Sequence, residues 1–332
     1  MIGYYVHHQG DGHLARACSI AAHLGDEVVT GLSSRPRPDR WPGMWVQLAR
    51  DDDPAPAEDA HPTAGGTLHW APTGHPGLRE RMAQLAAWIA TYTPRLLVVD
   101  VSVEVAVLAR TMGVPTIVMG MPGVREDRAH QLGFQLADAI IAPWPEWAGV
   151  LRGAEPWAAK VHAVGAISRF DARSRVAAGQ GPPRVVVLSG RGGTELTLDQ
   201  LTAAEAATPG WTWTALGPPS HRWVEDPWPL LCAADVIVTH AGQNAIADVA
   251  ASGRPAVVIP QPRPYDEQHA TARVLDEARL AVVRTRWPEP HEWDAVLAAA
   301  LKLGGEGWSR WRTGTGAERA AAVLQELACA SR

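Results

Sequence analysis

The 332-residue chain is predicted to be an α/β protein made of two doubly wound, Rossmann-like domains that face a cleft. Three observations predict this. Buried β-branched runs alternate with helical apolar spacing along the whole chain, the signature of parallel βαβ units. At three places a strand runs directly into a small-residue loop and a helix: after His7, after Leu188 and after Thr239. The length is sufficient for two cores of ordinary size.

Composition narrows the function. A formal net charge of -5 argues against a nucleic-acid partner. Cys18, Cys232 and Cys329 are far apart and form no Cys-x-x-Cys pair, as expected of a reduced protein without disulfides or structural zinc. No secretory leader is evident and no apolar run approaches the ~20 residues that span a bilayer, so a cytoplasmic protein with at most peripheral membrane contact is expected. Fifteen Trp against two Phe is unusual. Packing in cores is the expected use for most of them, with sugar stacking the alternative for those in loops.

Residues 1–7 read as a strand entering Gly10-x-Gly12-His13, and residues 14–24 as the helix that follows. Short strands are expected at 28–31 and 44–48. Residues 51–76, rich in Asp, Pro, Gly and His, read as one long loop; the spacing of His61, His69 and His75 matches no metal site, so exposed histidines are expected. A helix over 78–91 precedes a buried strand, 95–99, that ends at Asp100. That position puts Asp100 at the carboxyl edge of a parallel sheet, where sites form, although capping the helix at 103–112 would use it as well. Strand 116–119 leads to a cleft-side loop, 120–130, carrying Arg125, Glu126 and His130. Strand 137–142 closes the first domain, drawn as 1–165, and 166–183 reads as a linker ending in Gly181-Pro182-Pro183.

The second domain, 184–310, opens with strand 185–188 and the loop Ser189-Gly190-Arg191-Gly192-Gly193-Thr194 before a helix from Leu198, an arrangement whose backbone N–H groups suit an anion. Strand 212–216 and helix 230–234 follow. The run Val236–Ala272 is the centre of the chain. Its strand turns through His240-Ala241-Gly242-Gln243-Asn244 into a helix, which aims free N–H groups and the positive helix end at one spot suited to phosphate. Asp248 lies four residues beyond Asn244 on the same face, within reach of a ribose. Beyond Pro260, a polar loop offers Glu267 and Gln268 to sugar hydroxyls. Strand 281–283 and helices 292–302 and 317–330 complete the chain, with 311–332 expected to pack back on the first domain.

The residues His240-x-Gly242-x-Asn244, Asp248, Gly253-x-Pro255, Pro260 and Glu267-Gln268-x-x-Thr271-Ala272-Arg273 resemble the donor-binding signature of GT-B glycosyltransferases, most of all the UDP-sugar-dependent, MurG-like and UDP-glycosyltransferase group. Two positions depart from it: Asp248 stands where Glu is usual and Thr271 where Asn is usual. The resemblance implies an inverting transfer from a UDP-sugar without metal or other cofactor. It implies that His13 is the base with Asp100 as its orienter, and that Gly190, Arg191, Gly192, Val224, His240, Gly242, Gln243, Asn244 and Asp248 hold the nucleotide. Glu267 and Gln268 would hold the donor sugar. Gly12, Arg125 and His130 would lie toward a small-molecule, glycan or lipid-linked acceptor. Two other readings keep the same donor site: a UDP-sugar hydrolase of the nonulosonic acid type, suggested by Gly10-x-Gly12-His13-x-x-Arg16, or a silent scaffold subunit.

Overall fold

A computed structural model of the protein describes residues 1–57, 59–176, 181–190, 194–220 and 222–330. Two parallel sheets organise it. The first is built from β1 (Ile2–Val6), β2 (Val29–Ser33), β3 (Met44–Gln47), β4 (Leu96–Asp100), β5 (Thr116–Met119), β7 (Ala139–Ala142) and β9 (Val161–Ala163), in the order β3-β2-β1-β4-β5-β7-β9. A two-stranded ladder, β6 (Gly123–Val124) with β8 (Leu151–Arg152), stands apart from it. The second sheet comprises β10 (Arg184–Leu188), β11 (Thr212–Leu216), β12 (Val236–Thr239), β13 (Ala256–Val258) and β14 (Val282–Val283), in the order β11-β10-β12-β13-β14. Strand order reverses between β1 and β4 in the first sheet and between β10 and β12 in the second. Such reversals leave a crevice at the carboxyl ends of the strands, where open α/β sheets bind ligands.

The strands read as continuous apolar runs because both faces are covered. In β1, Ile2, Tyr4 and Val6 enter one core while Tyr5 enters the other; in β4, Leu96 and Val98 alternate in the same way with Leu97 and Val99. The second sheet repeats this, with Val186, Ile237 and Val258 on one side and Val185, Val187, Val236 and Val238 on the other. Helices α1 (Asp11–Ala21), α2 (Pro76–Tyr92), α3 (Val103–Thr111) and α4 (Arg128–Leu136) belong to the first half. Helices α5 (Leu198–Ala207), α6 (Trp228–Ala233), α7 (Gln243–Ser252), α8 (Glu267–Glu277) and α9 (Trp293–Leu303) belong to the second. The last, α10 (Gly316–Ala330), crosses back: Ala317, Ala320, Ala321, Leu324 and Ala328 join the core formed by Ile2, Ala17 and Ile20. Gln325 Nε2 seals the contact by donating to the Leu24 carbonyl at 3.1 Å. The tryptophans mostly pack cores, with Trp41, Trp228, Trp293 and Trp308 wholly buried, whereas Trp147 and Trp223 are exposed.

Four expectations are corrected. The loop assigned to 120–130 ends early, because Asp127 caps α4 by accepting from the His130 N–H at 3.1 Å; Gly133 within a nine-residue helix had hidden its period. Residues 161–163 pair with β7 as a seventh strand of the first sheet, so strand 137–142 does not close the first domain. Glu267 and Gln268 open a helix, not a loop, after Tyr265 and Asp266 adopt left-handed φ values of 60° and 57°. Finally, His75 is no exposed loop histidine: it is 5% exposed, caps α2 through Leu78 N and contacts the Pro54 carbonyl.

Candidate active site

Both strand-order reversals open into one cleft of about 520 Å³ between the halves of the molecule. From β1 the chain passes through Gly10 into α1, and from β12 through His240 and Gly242 into α7; neither helix has a side-chain cap at its N-terminus. Both helices therefore aim the first turn of backbone N–H groups and the positive end of the helix dipole at the same space. The two ends touch. A Cβ on Gly12 would lie 2.8 Å from the Asn244 side-chain amide nitrogen, so a larger residue there would have to push that side chain aside.

His13 lines the cleft, and its Nδ1 lies 2.8 Å from Oδ1 of Asp100, the last residue of β4. A carboxylate oxygen accepts, so Nδ1 carries a proton, and in the tautomer this contact selects the lone pair lies on Nε2. Asp100 caps nothing, since α3 is capped by Ser102. Burial pushes its carboxyl up, but the Arg16 guanidinium and His13 outweigh burial and bring it down to about 2. Arg16 is itself 3% exposed. It grips Asp100 with Nη2 at 2.6 Å and Nε at 3.2 Å, and its Nη1 donates across the cleft to Gln243 Oε1.

On the second half, His240 Nδ1 accepts the Gly242 N–H at 2.9 Å, which leaves the ring proton on Nε2. Burial, with Arg263 nearby, lowers its pKa to about 4, so it offers a neutral donor and not a charge. Gly190, Val224, Gly242, Gln243, Asn244, Asp248, Glu267 and Gln268 all line the cleft as expected; Arg191 and Gly192 lie outside the described residues. Asp248 differs in its contacts. Its oxygens accept from Ser168 Oγ at 2.7 Å and Arg169 Nε at 3.2 Å, both in the segment joining the halves. Burial raises its pKa to about 6 against the pull of Arg169. Gln268 Oε1 accepts from Gln261 N at 2.9 Å and so braces the loop before α8, and Thr271 bonds back to the Glu267 carbonyl.

The residues expected on the acceptor side divide. Gly12 is in the cleft. Arg125 is buried beneath Tyr265, 4.4 Å from its ring centre, and its Nη2 reaches Glu267 Oε2 at 3.2 Å, a second bond between the halves. Arg125 and His130 line a separate pocket of about 80 Å³ behind Met121, which also lines the main cleft. Glu126 does not face the cleft; it is exposed and paired with Arg152. Sequence reasoning gave no role to Arg16, Arg222 and Arg263, although all three line the cleft and Arg16 falls within the glycine-loop motif itself. No local spacing marks the other two.

Two side-chain clusters among the described residues have metal-ligand geometry: His69, Asp127 and His130, and His8, Asp51 and Asp52. The second includes part of the Asp51-Asp52-Asp53 run, which has the Asp-x-Asp spacing of diphosphate-metal sites. Neither lines the cleft. In each, an arginine donates to the far ring nitrogen: Arg125 to His130 Nε2 at 3.3 Å, and Arg81 to His8 Nδ1 at 3.3 Å. Arginine only donates, so the nitrogen facing the carboxylates must hold the ring proton that a metal would have to displace.

Residues 227–286, from α6 to β14, match the glycosyltransferase family 28 C-terminal domain. The chain is 29% identical over 287 residues to the UDP-N-acetylglucosamine–N-acetylmuramyl-(pentapeptide) pyrophosphoryl-undecaprenol N-acetylglucosamine transferase of Rubrobacter xylanophilus, covering 76% of this chain and 83% of that protein. The same enzyme of Sorangium cellulosum is 28% identical over 69% of this chain and 63% of its own length. The chain is thus similar in sequence to MurG-type glycosyltransferases, with the family match confined to its second half. Its GT-B fold is shared with a kitacinnamycin glycotransferase (TM-score 0.69, 18% identity, 98% of each chain) and with MurG of Acinetobacter baumannii (TM-score 0.64, 15% identity, 98% of this chain and 99% of that one). The matched segment supplies the uncapped α7 turn, Asp248 and the start of α8. No helix among the chain's described residues is long and apolar enough to cross a membrane.

Proposed function

We propose that this glycosyltransferase moves the sugar of a UDP-sugar to an acceptor hydroxyl with inversion and without a metal ion on the diphosphate. The observation that carries the reading is that a His13–Asp100 pair on the first sheet and an uncapped α7 N-terminus on the second line the same cleft. His13 Nε2 removes the acceptor proton as the hydroxyl oxygen attacks the anomeric carbon, and the bond to the diphosphate breaks on the opposite face. Asp100 keeps the imidazole in the useful tautomer and balances the imidazolium that forms. The departing charge meets backbone N–H groups of α7, His240 Nε2–H and the guanidinium groups of Arg222 and Arg263. Asp248 serves the ribose, while Glu267 and Gln268 serve the donor sugar.

The acceptor is a small molecule, a glycan or a lipid-linked sugar, and contact with a membrane, where one is needed, is peripheral. The relatives named above act on a pyrophosphoryl-undecaprenol substrate. The test is incubation with a panel of UDP-sugars, with and without a cell extract as acceptor source, following UDP by chromatography and the new anomeric centre by proton NMR. Acceptor-dependent UDP release with an inverted product supports the proposal. Equal release of UDP and free sugar in buffer alone would make the enzyme a hydrolase, and a protein that neither binds nor consumes any UDP-sugar would overturn the donor reading.

A further inference from the structure

We propose that Arg16 is a positioning residue in a relay, Gln243–Arg16–Asp100–His13, through which the base senses the nucleotide half of the cleft. This rests on the donor reading above. Arg16 is buried, and its single guanidinium is divided between two duties: Nη2 and Nε hold both oxygens of Asp100, and Nη1 donates to Gln243 Oε1 at the first residue of α7. Because arginine can only donate, the Gln243 amide is fixed with its oxygen toward Arg16 and its Nε2 turned away. That Nε2 is buried and has no hydrogen-bond partner among the described residues. An unmet buried donor is costly and calls for an acceptor. A diphosphate oxygen at the α7 N-terminus is the group of that chemistry the cleft is built to receive.

The relay has little freedom to absorb a movement of Gln243. Asp100 has no exposed surface, Arg16 is nearly as deep, and Met121 Sδ lies 3.7 Å from Arg16 Nη2. Asp100 Oδ1 is shared between Arg16 and the His13 Nδ1–H, and Nη2 lies 3.2 Å from that same nitrogen. A displacement of Gln243 by a ligand is therefore passed through a planar, bidentate group to the hydrogen bond that orients the imidazole. Arg16 touches no reacting atom in this scheme. It makes the geometry of the base depend on what occupies the opposite domain.

The test uses UDP alone as probe and the His13 imidazole nitrogens as readout, in the full chain labelled with 15N-histidine; His13→Gln assigns the signals. Saturation with UDP is expected to shift the His13 nitrogen and ring-proton resonances in the parent. Gln243→Leu and Arg16→Met are expected to abolish that shift at UDP concentrations that saturate each variant, and Arg16→Lys to restore little of it. If UDP binds but the His13 signals stay fixed, or if Gln243→Leu responds as the parent does, the relay is wrong and the donor reading stands. If UDP binds to none of the proteins, the donor reading fails and the relay with it. Gln243→Leu leaves the Arg16–Asp100 pair whole, so it decides the matter even where Arg16→Met does not fold.

Discussion

Asp100 Oδ1 receives two donors at once, His13 Nδ1 at 2.8 Å and Arg16 Nη2 at 2.6 Å, at a site with no solvent exposure. One carboxylate therefore serves both the proposed base and a buried arginine, and substitutions should separate the two. His13→Ala is expected to reduce transfer by about two to four orders of magnitude while leaving UDP affinity nearly unchanged. Isothermal titration beside steady-state rates checks this. Proportional loss of both would move His13 into donor binding.

Asp100→Ala should be far worse for the fold than His13→Ala. It leaves the Arg16 cation buried without its counter-charge, a change that costs about 3–5 kcal/mol. Chemical denaturation of the two variants measures the difference. Asp100→Asn keeps the shape and should lose rate with a smaller loss of stability.

Asp248 predicts a pH dependence of nucleotide binding. Its pKa is raised to about 6. A carboxyl raised above its unfolded value contributes stability that is complete near pH 4 and is lost as pH rises through 6. Ribose recognition needs the charged acceptor, so UDP affinity should fall as pH drops below about 6 in the parent. Titrations at pH 5 and pH 7.5 should show the fall, and in Asp248→Asn it should disappear. Asp248→Ala should cost roughly 1.5–3 kcal/mol of UDP affinity at neutral pH.

Glu267 tests the proposed division of the cleft between sugar and nucleotide. Glu267→Gln should weaken binding of intact UDP-sugar more than that of UDP, because its contact is assigned to the hexose. Arg125→Met would release the same carboxylate from its 3.2 Å partner and loosen the contact between the halves. Competition of UDP-sugar against UDP in both variants provides the measurement, and equal weakening of the two ligands would remove Glu267 from the sugar site.

Chelation gives a further test. The proton-bearing nitrogens in the His69–Asp127–His130 and His8–Asp51–Asp52 clusters oppose metal binding. Activity should survive dialysis against EDTA and gain nothing from added Mg²⁺ or Mn²⁺. Loss of activity restored by a cation would refute the metal-independent mechanism.

Much of the architecture was legible because each buried strand is a short β-branched run, and because glycine loops mark both strand-order reversals. The interior strand 116–119 and the edge strand 212–216 were read to the residue. Asp100 could be placed at a strand end, but its partner could not be chosen from sequence, since a following Ser102 competes for the same helix cap. His240, Asn244 and Asp248, which the donor signature singled out, line the cleft. Local spacing carried no trace of contacts between distant segments: Ser168 and Arg169 on Asp248, Arg125 on Glu267, Arg16 on Gln243. Helix α4 was missed for a different reason, its central glycine and short length giving no clear period.

The return of α10 to the first core means that the backbone crosses between the halves twice, once between β9 and β10 and again between α9 and α10. A single tether would allow one half to swivel freely on the other. Two tethers restrict relative motion to rotation about an axis near both crossings, the behaviour of a hinge. Arg169, in the first crossing, bonds Asp248 on α7, and Arg312, in the second, bonds Asp171 in the first crossing at 2.7 Å. The pivot and Asp248 are thus joined by hydrogen bonds, so that the angle between the halves and what occupies the cleft beside α7 are properties of one mechanical unit.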